Sequence, residues 1–183
     1  MSLPGSRFTY EEYKQLPDDK RYEVIAGELL MTPATTTQHQ RILLRVGLHL
    51  GNFVLPRDLG DLLLAPTDVI LSPENVVQPD LLFISKDRLA IINPQGGIHG
   101  APDLVVEVLS PSTSSRDQLV KRQLYSKYGV REYWIVDPAA NSIAVLIRQG
   151  TSLETWCVFP GESILTSHIL PGLQVPVAAL FSD

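Results

Sequence analysis

The stretch PDLVVEVLSPSTSSRD, residues 102–117, has the composition of a buried β-strand that runs into the start of a helix. Its first half is aliphatic and β-branched, which is typical of a strand covered on both faces. Its second half offers several hydroxyl groups suited to capping a helix N-terminus. One acid, Glu107, stands in the middle of the strand. An ionised carboxylate among aliphatic side chains is costly unless it is paired or binds a cation, so Glu107 indicates either a buried ion pair or a site.

The segments around this strand predict a mixed α/β architecture. Val120, Leu124 and Tyr128 form a stripe at helical spacing that ends at Gly129, so a helix follows the strand. Apolar residues four apart predict an earlier, longer helix after Pro33. The other predicted elements are a short helix at 9–20, two strands at 21–33, extended segments at 61–73, 76–85 and 131–138, and a hairpin at 142–160. The order helix, three strands, helix, strand predicts a mixed sheet flanked by helices.

Two further predicted strands each carry one acid among aliphatic residues. Asp80 lies in VVQPDLLFIS and Glu23 lies in RYEVIAGELL. A single acid of this kind is usually paired with a nearby arginine, but three such acids in three sheet segments weaken that explanation. Carboxylates that converge at one end of a sheet form the hard oxygen site that Mg²⁺ or Mn²⁺ prefers. The sequence therefore predicts a metal site.

Composition limits the classes of protein to which the chain can belong. It has 183 residues, 44% of them hydrophobic, and a formal charge of −5. Neither a repeat nor a long linker divides it, so we expect a single domain over residues 1–183. One cysteine, Cys157, excludes an internal disulfide and a thiolate zinc site. We find no apolar run of membrane-spanning length and no secretory signal pattern, so we expect a cytoplasmic protein without a membrane partner.

Several motifs, in order, resemble a known family. They are RYEVIAGEL, QHQ, VQPDLLFI, PDLVVEVLSPST, DQLVKRQLYSKYGVREYWIVDP and PGLQVPV, and they run from about Tyr10 to Phe181. The chain resembles the bacterial Uma2 family of the PD-(D/E)XK nuclease superfamily. The resemblance implies a restriction-endonuclease-like αβββαβ core with a mixed central sheet, flanking helices and extra C-terminal strands. It also implies an endonuclease that hydrolyses DNA with Mg²⁺ or Mn²⁺.

The resemblance assigns Asp80 and Glu107 as the metal-binding acids of the two half-motifs. It also expects a lysine two residues after the second acid, where this chain has Leu109. An aliphatic residue can neither orient water nor offset phosphate charge. Lysines relocated to the following helix occur in the superfamily, and Lys121 is the candidate here. An ordinary surface pair with Asp117, four residues earlier, explains Lys121 equally well.

Other residues are assigned roles beside the two acids. His39, in QHQ at the start of the long helix, is a candidate proton carrier or outer wall of the site, together with Glu23. DNA is the implied partner, although the total charge is negative. Because nucleases often cut two strands, we expect a homodimer by analogy. The candidate nucleic-acid contacts are Gln38, Arg41, Arg116, Arg122 and Lys127.

Two rival functions stay open. The first is an interaction module that keeps the nuclease fold without its reaction, which Leu109 and the net charge of −5 favour. An ammonium group of Lys121 within hydrogen-bonding distance of the carboxylates would favour catalysis, and one turned to solvent would favour the module. The second is a glycosidase with two facing acids, which the sequence supports less because it has only two tryptophans.

Overall fold

The computed structural model describes residues 7–17, 20–32, 34–110 and 115–182, without the side chains of 115 and 116. The helices are α1 (Tyr10–Tyr13), α2 (Thr37–Val54), α3 (Ser115–Tyr128) and α4 (Ala178–Phe181). The first strands are β1 (Arg21–Ile25), β2 (Glu28–Thr32), β3 (Gly60–Leu64), β4 (Val69–Ser72), β5 (Asn75–Val77), β6 (Leu81–Ser85) and β7 (Ile92–Asn93). The remaining strands are β8 (Gly97–His99), β9 (Leu104–Val108), β10 (Glu132–Asp137), β11 (Ser142–Gln149), β12 (Ser152–Pro160), β13 (Ile164–Leu165) and β14 (Val175–Pro176). Short 3-10 helices lie at Leu55–Arg57 and Lys86–Ile91.

A six-stranded sheet in the order β12-β11-β10-β9-β6-β3 forms the centre of the fold. Strands β9 and β10 are parallel and are joined by α3, whereas the other neighbours are antiparallel. Read along the chain, α2, β3, β6, β9, α3 and β10 reproduce the expected αβββαβ core. Strands β11 and β12 are the extra C-terminal strands. The predicted mixed sheet with flanking helices is therefore confirmed.

A second six-stranded sheet, in the order β2-β1-β5-β4-β8-β7, is a feature that the sequence analysis did not predict. Segments 61–73 and 76–85, each expected as one extended segment, are each divided between the two sheets. Pro66 lies in the first break and Pro79 in the second. Because proline has no backbone N–H group for a sheet ladder, each proline ends a strand and lets the chain change sheets.

The two faces of β9 contribute to different parts of the core. Leu104, Val106 and Val108 belong to the hydrophobic cluster that contains the buried residues of α2. Val105 points the other way, into the cluster that contains Tyr125 of α3 and residues of the second sheet. Alternation along a strand places Glu107 on the face of Val105. The acid therefore points toward α3 and the junction of the two sheets.

The helices also differ in detail from the expectation. Helix α1 ends at Tyr13, well before the predicted stop at Pro17. Helix α2 begins after Thr36, whose hydroxyl accepts a 3.1 Å hydrogen bond from the backbone N–H of His39. The hydroxyl groups predicted to cap α3, at residues 112–115, fall outside the described residues and side chains. None of the helices in the described part of the chain has both the length and the apolar composition needed to cross a bilayer.

Candidate active site

Five segments of the chain bring the predicted site residues together where the two sheets meet. Glu23 comes from β1 of the second sheet, Asp80 precedes β6, Glu107 lies on β9, and Lys121 lies on α3. With His39 of α2 they line one cleft of about 520 Å³. All five candidate catalytic residues of the sequence analysis therefore lie around a single space.

Lys121 connects two of the acids. Its Nζ atom lies 3.0 Å from Oε1 of Glu23 and 3.0 Å from Oε1 of Glu107. The side chain is only 19% exposed, so the ammonium group is not turned to solvent. Leu109, at the position where the superfamily has lysine, lines the same cleft. The positive charge next to the second acid thus comes from the helix instead of the strand.

Tyr125 fixes the orientation of the Glu107 carboxylate. It lies one helical turn after Lys121, so both side chains leave the same face of α3. Its hydroxyl donates a 2.7 Å hydrogen bond to Oε1 of Glu107. Its ring meets that of Tyr133 edge to face, with 5.1 Å between the ring centroids. Glu107 Oε1 is therefore held by two donors from one helix.

Asp80 is held by the backbone of β9 and faces His39. Its Oδ2 atom accepts a 2.8 Å hydrogen bond from the N–H group of Val108. Its Oδ1 atom lies 3.2 Å from Nε2 of His39, within ion-pair distance, but the angles are not those of a hydrogen bond. His39 is buried, and neither ring nitrogen hydrogen-bonds to a described residue. A buried imidazole whose nitrogens make no hydrogen bond is unusual in a folded protein, and a bound water or ion is one explanation of it.

Glu23 is anchored by a residue that the sequence analysis did not identify. Its Oε1 atom accepts a 2.9 Å hydrogen bond from the backbone N–H of Gln78, in addition to the one from Lys121. Gln78 lies where the chain passes from β5 to β6. Because this contact uses a main-chain donor, no side-chain pattern could have predicted it. Arg21 also lines the cleft and was not predicted, because an arginine next to a predicted strand is usually an ordinary surface residue.

The site contains more carboxyl groups than basic groups, and this imbalance shifts the pKa values of its residues. Burial raises the pKa of Glu107 to about 7; Lys121 lowers it in part, and the nearby charges of Asp80 and Glu23 raise it further. Burial alone would lower the pKa of Lys121, but attraction to Glu107 and Glu23 outweighs burial and raises it above the ordinary value. Burial and the Glu107 carboxylate also raise the pKa of Tyr125 well above its ordinary value. The site thus holds three carboxylates and one ammonium group, which pairs with two of them, and an added cation would relieve the repulsion between the carboxylates.

Three carboxylate oxygens of the site accept no hydrogen bond from the described residues. They are Oε2 of Glu23, Oδ1 of Asp80 and Oε2 of Glu107. Within the described ranges, no three His, Cys, Asp or Glu side chains are already gathered as a metal centre.

None of the predicted nucleic-acid contacts whose side chains are described lines the cleft. Gln38, Arg41 and Lys127 are exposed. Arg122 donates to the backbone oxygen of Leu153 and pairs with Glu154 at 3.0 Å. The side chain of Arg116 falls outside the described atoms. These contacts stay predictions.

Comparison with known proteins gives a family and a fold. The model of the Uma2 family, described as "Putative restriction endonuclease", matches residues 10–178. None of the curated proteins compared with the chain matches it. A solved structure from Anabaena variabilis, described as a "putative nuclease belonging to DUF820", is similar to this chain. The two are 21% identical, the match covers 95% of this chain and 97% of the other, and the TM-score is 0.77. At this identity the likeness shows a shared fold.

Proposed function

The chain belongs to the Uma2 family, and we propose that it is a Mg²⁺- or Mn²⁺-dependent endonuclease that hydrolyses DNA phosphodiester bonds. Family membership supports a nuclease in the broad sense. The observation that carries the finer proposal is the ammonium group of Lys121, 3.0 Å from both Glu23 and Glu107. In the superfamily pattern a lysine lies two residues after the second metal-binding acid. The strand of this chain has Leu109 at that position, and Lys121 supplies the positive charge from α3.

The residues present fit a divalent cation. Asp80 and Glu107 would hold it, each through an oxygen that no described donor occupies. Nε2 of the buried His39 imidazole lies 3.2 Å from Oδ1 of Asp80, at the wall of this site. When bound, the ion would polarise the phosphodiester and lower the pKa of a bound water. Carboxylate oxygens suit Mg²⁺ and Mn²⁺.

The protein groups have distinct roles in this proposal. Lys121 places positive charge beside the scissile phosphate and offsets the charge that develops there in the transition state. Glu23 accepts a second hydrogen bond from the same ammonium group and helps to hold it in place. Tyr125 holds Glu107 so that its other oxygen faces the cleft. Hydrolysis adds the water oxygen to phosphorus, breaks one P–O ester bond, and returns a proton to the departing oxygen, with His39 as the candidate proton carrier.

The proposal extends to how the whole chain is organised. We propose one domain over residues 1–183, supported by a hydrophobic cluster in which Val69 and Val77 of the second sheet pack with Leu82 and Val105 of the central sheet. We also propose a homodimer, so that each subunit cuts one strand, and phosphate contacts by the exposed Arg41 and Lys127.

A second candidate function is an interaction module without catalysis. The observation that favours it is Leu109, an aliphatic side chain at the usual lysine position. The pairing of Lys121 with both acids weighs against this alternative, because a cation at that place has no evident use in a surface module.

The test of the proposed function is cleavage of supercoiled plasmid DNA with Mg²⁺, Mn²⁺ or excess EDTA, with an RNA strand of similar length as a second substrate. We expect wild-type protein to nick the plasmid only with metal, and Glu107→Gln and Lys121→Met to lose at least about a hundredfold in rate. Matched controls are Glu162→Gln and Lys86→Met, which change exposed residues of the same types that do not line the cleft. Both controls should cleave at the wild-type rate.

Two results would count against the enzyme. The first is the absence of cleavage of every substrate by protein whose circular dichroism spectrum shows that it is folded. The second is residual nicking of equal rate in wild type and Glu107→Gln, which would indicate a contaminating nuclease. Either result would favour the interaction module.

A further inference from the structure

A second, larger cleft adjoins the candidate active site. Its volume is about 1140 Å³, roughly twice that of the first cleft. Arg21 and Gln78 line both spaces, so the two clefts meet at these residues. Two adjacent residues of β1 face different clefts: Tyr22 lines the second cleft and Glu23 lines the first. A strand that passes through the active site can therefore continue into the second cleft.

A cluster of aromatic rings forms one wall of this second cleft. The rings of Tyr10 and Tyr13 are stacked with centroids 6.2 Å apart, and the ring of His99 meets Tyr10 edge to face at 6.1 Å. His99 is exposed and is the solvent-facing end of the cluster. Flat aromatic rings at the edge of a groove are the usual surface on which a nucleobase stacks.

Hydrogen bonds make this wall rigid and tie it to the active site. The hydroxyl of Tyr13 donates to Oδ1 of Asp68 at 2.7 Å, and Nε2 of Gln78 donates to the same oxygen at 2.9 Å. The backbone N–H of Gln78 at the same time holds Glu23. The hydroxyl of Tyr10 donates to the backbone oxygen of Gly96, which fixes the loop opposite. One residue, Gln78, therefore links the wall to an acid of the candidate active site.

Arg21 provides positive charge where the clefts meet. Its Nε atom donates a 3.0 Å hydrogen bond to the side chain of Gln78. No ion pair joins its guanidinium group to any carboxylate of the described residues, so its terminal nitrogens can bind a phosphate group. Asp68, which also lines the second cleft, would repel a phosphate, but its carboxylate can accept a hydrogen bond from an N–H group on the edge of a base. These charges would favour a nucleotide whose phosphate lies at Arg21 and whose base lies in the second cleft.

We infer that the second cleft binds a nucleotide of the substrate strand next to the scissile phosphate, with its base against the Tyr10–Tyr13–His99 cluster and its phosphate on Arg21. This inference rests on the proposed nuclease function. It predicts that the protein prefers a strand whose bases are unpaired or turned out near the cleavage site, because a base inside a duplex cannot enter the cleft.

The test compares binding of two fluorescein-labelled single-stranded DNA probes by anisotropy, in EDTA so that no cleavage occurs. One probe is a 12-nucleotide strand of mixed sequence, and the other is the same strand with abasic sites at the central positions. The variants are His99→Ala, Arg21→Gln and the control His168→Ala, which removes an exposed histidine that lines neither cleft. Plasmid cleavage by each preparation is measured in parallel with Mn²⁺.

We expect wild type and His168→Ala to bind the base-containing probe at least about fivefold more tightly than the abasic probe, as the loss of a base–aromatic stack predicts. His99→Ala should reduce this ratio toward one. Arg21→Gln should weaken binding of both probes equally and lower the salt dependence of binding, which is the signature of a lost phosphate contact.

The outcomes separate the two proposals. If wild type cleaves plasmid but binds both probes equally, or if His99→Ala keeps the full base preference, the second cleft is not a base site and the nuclease proposal stands. If wild type neither cleaves plasmid nor binds either probe, the proposed function fails and the inference fails with it.

Discussion

Replacement of Lys121 by methionine tests the electrostatic account of the site without any substrate. Methionine has a similar length and fills the same space, but it removes the ammonium group that lies 3.0 Å from two carboxylates. Removing one partner of a buried ion pair costs about 3–5 kcal/mol, because the remaining charge is buried without compensation. We expect a loss of this size in the free energy of unfolding at pH 8.

The loss should depend on pH, and its direction follows from Glu107. The folded protein raises the pKa of this carboxyl from 4.5 to about 7. A raised pKa means that the stability contribution of Glu107 is fully present below pH 4.5 and is lost as the pH rises through 7. At pH 5, Glu107 is mostly protonated, so Lys121→Met leaves mainly Glu23 without a partner and should cost only roughly 1–2 kcal/mol. At pH 8 both acids lose their partner.

The assay is urea-induced unfolding of wild type and Lys121→Met at pH 5 and pH 8, followed by tryptophan fluorescence and without divalent metal. Lys127→Met, which changes an exposed lysine of the same helix, is the matched control and should change stability by no more than about 0.5 kcal/mol. Equal stability of Lys121→Met and wild type at pH 8, or an equal loss at both pH values, would refute the reasoning.

Two further predictions concern the Glu107 carboxylate, and a third concerns two glycines of the fold. Because a metal binds ionised Glu107, whose pKa is about 7, the apparent affinity for Mn²⁺ should fall about tenfold per pH unit below pH 7 in calorimetric titrations; constant affinity from pH 5.5 to 8 would contradict this. Tyr125→Phe removes the 2.7 Å donor to Glu107, so the midpoint of that affinity profile should move to higher pH, whereas Tyr128→Phe on the same helix should leave it unchanged. Gly60→Ala should lower the free energy of unfolding by more than about 2 kcal/mol, because the added Cβ would lie 2.0 Å from a backbone oxygen of the neighbouring strand. Gly47→Ala in α2 has room for the added methyl group and should stabilise the protein by roughly 0.5–1 kcal/mol. Similar melting temperatures for the two variants would contradict this prediction.

The sequence predicted the central sheet because its strands are long apolar runs with helices between them. The stretch around Glu107 and the stripe through Val120, Leu124 and Tyr128 each match one element of the structure. The second sheet was not predicted because four of its six strands have only two to four residues. An apolar run interrupted by Pro66 or Pro79 does not reveal that its two halves join different sheets. That assignment depends on pairing between distant segments, which a local pattern does not encode.

The sequence was enough to predict the acids of the candidate site, but not the residues that contact them. Glu23, Asp80 and Glu107 are visible in the sequence as single charges in apolar strands. Whether Lys121 faces solvent beside Asp117 or reaches the acids depends on how α3 lies on the sheet, and both arrangements satisfy the same helical spacing. The role of Tyr125 required the same information. The contact from Gln78 uses its backbone, so its side chain carried no signal.

The central claim is that the acids at the sheet junction hold a divalent metal beside Lys121. The most direct test is an anomalous difference map from crystals of the protein grown with Mn²⁺. The account predicts a single strong peak between Asp80 and Glu107, with Nζ of Lys121 still bonded to Glu23. Absence of a peak at millimolar Mn²⁺, with Lys121 bridging Glu23 and Glu107 and no ion beside Asp80, would contradict it.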